Sequence, residues 1–86
     1  VTDNPLTNKL KNTVDDFLRE LSPELKMHDF RTVAGPTHTN ILFDVVVPYG
    51  CPLTFREVEE NLNEKIRNLP GNYYPVISIE PDYGTR

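Results

Sequence analysis

Two histidines, one cysteine and thirteen carboxylates are the groups with chemistry to offer in this 86-residue chain. His28 and Asp44 lie on either side of a turn centred near Pro36. Pairing symmetrical about that turn sets them opposite one another, about 5 Å apart on one face of a sheet. Glu80 and Asp82 are two residues apart, so extended backbone sends both side chains the same way. An imidazole with several carboxylates is a donor set for zinc or manganese. The same residues also read as a solvated acidic strand end with an ordinary histidine.

The remaining candidates have simpler accounts. Cys51 stands between Gly50 and Pro52 with neither histidine close in sequence, which reads as a bystander thiol in a loop. A single cysteine excludes a disulfide framework and any CxxC redox or zinc motif. Glu57 is the fourth residue of Thr54-Phe55-Arg56-Glu57, an S/T-x-x-E capping box, and the Thr54 amide already gives it a partner. His38, beside the turn, is expected to be exposed rather than ligating. Tyr73, Tyr74 and Tyr83 lack the interleaved basic residues of a stacking platform for nucleic acid, so they are expected to pack. No G-x-S-x-G, P-loop or G-x-G-x-x-G is present, so the chain is not expected to be an enzyme.

Five elements must position these residues. Asn4-Pro5 reads as an N-cap with proline at the first helical position. Leu6, Leu10, Val14, Phe17, Leu18 and Leu21 then recur as one apolar helical stripe, and Ser22-Pro23 stops it. Leu25 to Val33 is extended, Gly35-Pro36 turns, and Thr39 to Val47 contains the strongest strand signal, Ile41-Leu42-Phe43-Asp44-Val45-Val46-Val47. Apolar residues on both of its faces mark a central strand or one with a face at an interface. The capping box opens a second helix with the stripe Phe55, Val58, Leu62, Ile66 and Leu69, and Leu53 and Val58 stand as a hydrophobic staple. Pro70-Gly71 ends it, and Tyr74 to Glu80 alternates as a third strand, with Ile77 and Ile79 on one face.

The expected architecture is α/β (α+β): a ferredoxin-like two-layer sandwich of order α-β-β-α-β, with two helices on one face of a three-stranded sheet. The other sheet face then lacks a layer. It carries either His28, Phe30, Leu42, Asp44 and Val46 or their alternates, and apolar content of that order usually finds a partner chain.

Composition bounds the function. Residues 1–86 make one domain, since surface scaling for 9.9 kDa leaves about 64% of the extended chain's surface buried, enough for one core and no more. Nine basic against thirteen acidic side chains give a formal charge of −4, which argues against a nucleic-acid surface. A mean hydropathy of −0.48 fits a soluble domain. The chain opens on Val1 rather than methionine and is expected to be an excised piece of a longer protein.

At His28-Asp29-Phe30-Arg31-Thr32 and Gly35-Pro36-Thr37 the chain resembles the cytoplasmic C-terminal domain of cation diffusion facilitator (cation efflux) transporters. That family shows a His-Asp-Leu-Arg-like stretch, a turn, a strand histidine, a helix histidine and a closing Ile-His-x-Asp-Pro-like strand. The likeness runs from about Leu25 to Tyr83. It implies a regulatory domain beneath a six-helix membrane antiporter that exports zinc, manganese, iron or cobalt in exchange for protons. It further implies a homodimer at the cytoplasmic face of the cell membrane, tethered by the transmembrane part of the same chain. Carried over residue by residue, His28 stands at the family's first ligand histidine and Asp44 at its strand histidine. Glu57 stands near the helix histidine, Glu80 at the last-strand histidine, and Asp82 keeps the aspartate. Three histidines are thus carboxylates here, and Pro81 separates the two acids at the end. Such an oxygen-rich set suits manganese or iron better than a histidine cluster does, or else the site is vestigial. The competing reading is a free-standing ferredoxin-like small-ligand-binding domain or small enzyme.

Overall fold

The computed structural model describes residues 5–82; the expected N-cap Asn4 and Tyr83 lie outside them. The order is helix α1 (Pro5–Leu21), strands β1 (Lys26–Ala34) and β2 (Thr39–Val47), helix α2 (Phe55–Arg67) and strand β3 (Tyr73–Pro81). This is the expected α+β sandwich.

Each helix is amphipathic, and its apolar stripe meets the same face of the sheet. Leu10, Val14 and Leu18 are buried on α1, and Val58, Leu62 and Ile66 on α2. They pack with Ile41, Phe43, Val45 and Val47 of β2, while Ile77 and Ile79 of β3 are half-buried against the same core. The stripes are narrower at their starts than the spacing predicts. Leu6 is 54% exposed and Phe55 43% exposed, since each lies in the first turn of its helix and reaches only the rim of the core. Where α1 ends, the Ser22 amide donates to the Leu18 carbonyl at 2.9 Å and the Ser22 hydroxyl accepts from the Glu24 amide. Proline cannot continue this ladder. The capping box of α2 is complete. The Glu57 amide donates to Thr54 Oγ1 at 3.1 Å, and the Thr54 amide donates to Glu57 Oε1 at 2.9 Å. Lys65 ties the helices together, with Nζ 3.1 Å from Glu20 Oε1 and 5.6 Å from the centre of the Phe17 ring.

The sheet order is β1-β2-β3, with β1 antiparallel and β3 parallel to the central β2. A parallel neighbour needs a crossover connection, and α2 supplies it. Alternation along β2 is complete: Ile41, Phe43, Val45 and Val47 are buried under the helices, and Asn40, Leu42, Asp44 and Val46 occupy the opposite face.

One feature of β1 departs from simple alternation. The register shifts between His28 and Arg31, so Asp29 and Phe30 together oppose the single residue Phe43. Asp29 has φ 57, the left-handed conformation that lets a bulge form and that aspartate tolerates better than most residues. Simple alternation puts Phe30 on the same face as His28, whichever face that is. The bulge instead turns it to the helix side, where its ring stacks on Phe43 with centroids 5.9 Å apart. The bulge has a second consequence. The turn pairs Ala34 with Thr39, one residue off symmetry about Pro36, and the extra residue at Asp29–Phe30 removes that offset, so His28 does oppose Asp44.

Candidate functional site

The uncovered sheet face is built of cross-strand rows. Val33, Asn40 and Tyr74 form the row nearest the β1–β2 turn, followed by Arg31, Leu42 and Val76. His28, Asp44 and Ser78 come next, then Lys26, Val46 and Glu80. The face is therefore mixed. Val33, Leu42, Val46, Tyr74 and Val76 make it apolar, and an imidazole with two carboxylates makes one end polar. Val33, Tyr74 and Val76 are each about half exposed.

Of the sequence-predicted metal ligands, the fold sets two directly opposite each other. His28 and Asp44 are cross-strand partners on this face, and neither side chain has a hydrogen-bond or ion-pair partner among the described residues. Glu80 lies on the same face but opposes Val46, one row further along, which puts it diagonal to Asp44 at about 7–8 Å. Asp82 follows the last residue of β3, its amide donating to the Val47 carbonyl at 3.0 Å. Glu57 is engaged in the α2 cap, on a different element from the sheet. Among the described residues, no three His, Cys, Asp or Glu side chains gather into a group able to hold a metal. A single protomer thus presents a pair of donors, with Glu80 and Asp82 strung out beyond it. Cys51 is a free, half-buried thiol packed against the core rim.

The opposite end of the sheet holds an arrangement that spacing does not reveal. An open depression of about 670 Å³ is lined by Thr37, His38, Arg67, Gly71, Asn72, Tyr73 and Tyr74. The Arg67 guanidinium lies 5.1 Å from the centre of the Tyr74 ring, and the His38 ring lies 5.5 Å from it. Three separate segments meet there, the β1–β2 turn, the end of α2 and the start of β3. Asn72 joins them: its carbonyl accepts from the Thr39 amide at 2.8 Å, and its side chain donates to the Thr37 carbonyl at 3.2 Å. His38 is exposed, as expected. Tyr74 does not pack into the core as expected; its parity on β3 turns it to the uncovered face.

Among the described residues, no helix is long and apolar enough to cross a membrane. No protein-family model matches the chain, and neither does any curated protein or solved structure.

Proposed function

We propose that this chain is the cytosolic dimerisation and metal-sensing domain of a divalent metal cation efflux transporter. The observation that carries the proposal is the His28–Asp44 pair. An imidazole and a carboxylate stand opposed on an uncovered sheet face, and among the described residues no protein group engages either side chain. Uncommitted donors of borderline and hard character are what a divalent ion needs. Two donors are half of the usual four for zinc. A second copy related by a two-fold axis would bring the same pair to a shared face, so dimerisation and metal binding support each other. Glu80, in the next row with Lys26, and Asp82 beyond it offer further oxygen donors, which lowers selectivity for zinc over manganese. The resemblance at His28-Asp29-Phe30-Arg31-Thr32 supplies the transporter context.

Thermal melts with zinc and with manganese test the sensing role. Both ions are expected to raise the melting temperature, since a ligand at a hundredfold excess over its dissociation constant adds about 2.7 kcal/mol. Asp44→Ala should remove most of the rise. Glu57→Gln should leave it intact, because glutamine still serves at the third position of the helix. No shift with either metal at millimolar concentration would reduce the domain to a dimerising support. The transporter context is tested by the parent reading frame, where six apolar stretches of about twenty residues should precede Val1.

A further inference from the structure

Arg67 differs from the other described arginines. Arg19 pairs with Asp15 at 3.0 Å, Arg56 pairs with Glu60 at 3.1 Å, and Arg31 donates to the Asp29 carbonyl at 2.8 Å. The Arg67 guanidinium donates to no protein oxygen among the described residues and rests over the Tyr74 ring. A guanidinium laid on an aromatic face is held in place while its N–H groups stay available, and its planar fork matches carboxylate and phosphate oxygens.

Its surroundings are selective in sign. The chain carries a formal charge of −4, yet among the described residues no carboxylate lines the depression that Arg67 borders. The other side chains of the lining residues with polar groups are those of Thr37, His38, Asn72, Tyr73 and Tyr74, the Asn72 amide being engaged by the Thr37 carbonyl. Thr37 Oγ1 lies 3.1 Å from His38 Nδ1, which leaves Nε2 as the unengaged ring nitrogen. Gly71 on the wall makes room for the Tyr73 ring. Its φ of 114 suits glycine, and a Cβ there would come within 2.9 Å of the Tyr73 ring.

We propose that this depression binds a small oxyanion, a phosphate or carboxylate group, with Arg67 as the anchoring cation and Tyr74 as the platform that holds it. The site is independent of the metal reading. Asp44 lies four residues along β2 from Asn40, the Tyr74 partner, which is about 13 Å of strand.

Amide chemical shifts of the isolated chain, followed by NMR, test the proposal. Inorganic phosphate and citrate are titrated separately against sodium chloride at matched ionic strength. Saturable shifts are expected at Thr37, His38, Gly71, Asn72 and Tyr74, with phosphate, citrate or both, and the comparison of the two arms identifies the preferred group. Arg67→Gln should weaken binding at least tenfold while its spectrum elsewhere stays that of the parent. Tyr74→Leu should weaken it less, since the charge remains but is no longer held. Asp44→Ala should bind as the parent does, which keeps failure of this site distinct from failure of the metal site. Shifts that follow sodium chloride, that never saturate, or that persist unchanged in Arg67→Gln would overturn the proposal.

Discussion

Asp29 has a φ of 57 in the middle of a strand, and the placement of two aromatic and ionisable neighbours depends on it. By occupying the left-handed region it makes room for the bulge that sends Phe30 to the core and keeps His28 outside. The Arg31 guanidinium, donating to the Asp29 carbonyl, braces the same bend. Glycine enters this conformation freely, whereas a β-branched residue meets its own carbonyl there. Asp29→Gly should therefore match or exceed the parent in stability. Asp29→Val should be less stable than Asp29→Gly by about 1–2 kcal/mol, the usual penalty for a left-handed residue with a Cβ. Urea unfolding of the two variants checks the pair. Equal stability of Val and Gly at this position would show that the bulge is not held by the Asp29 conformation.

Helix α2 links sequence to packing most directly. Thr54 and Glu57 start it through reciprocal hydrogen bonds, Val58, Leu62 and Ile66 bury one side at steps of four, and Gly71 lets the chain turn back into β3. Leu62 is fully buried between the helix layer and the sheet. Leu62→Ala should cost about 2–5 kcal/mol, the range for removing a buried leucine side chain from a core that collapses only partly. A variant as stable as the parent would contradict the core described here. Strand β3 shows a different kind of control. The Asn72 carbonyl and the Asp82 amide both bond to β2, so the even-numbered residues between them turn their backbone groups inward. Tyr73, Pro75, Ile77, Ile79 and Pro81 then turn theirs to the free edge, and two of these five have no N–H to offer. Prolines so placed block strand addition along that edge. On the other edge, the Asp29 bulge disrupts the flat template in β1.

At the scale of the whole molecule, blunted edges and an uncovered face narrow how two copies can meet. Extension of the sheet is disfavoured at β3 and at β1, while Val33, Leu42, Val46 and Val76 leave an apolar surface with no layer above it among the described residues. Face-to-face association under two-fold symmetry follows from the proposed dimer. The isolated chain should show mass above 9.9 kDa in sedimentation equilibrium at high micromolar concentration. Val76→Lys should lower that association by placing like charges across the axis, with little effect on the melting temperature at low concentration. A parent chain that stays strictly monomeric would defeat the prediction for the isolated domain. Membrane helices in a longer parent would raise the local concentration of the two copies, so a weak dimer in isolation is sufficient.

The order of the five elements, the α2 cap and both helical stripes apart from their first members Leu6 and Phe55 were legible in the chain. Each depends on signals local to a few residues: a proline or glycine stop, a side chain that reaches its own helix terminus, or apolar residues at a period of two or 3.6. The opposition of His28 and Asp44 was also legible, though symmetry about Pro36 was not the reason for it. A turn one residue off centre and a bulge of one residue offset each other. The bulge itself needed the tertiary structure, since nothing in His28-Asp29-Phe30-Arg31 distinguishes alternation from a left-handed aspartate until Phe43 offers Phe30 a stacking partner. The same holds for the separation of Glu80 and Asp82 from the pair, which depends on the register of β3 against β2. It holds most of all for Arg67, Tyr74 and His38. These residues come from a helix end, a strand start and a turn, and only the packing of α2 and β3 beside β2 makes them neighbours. Short-range pattern determines what each segment becomes, whereas long-range register decides which side chains meet.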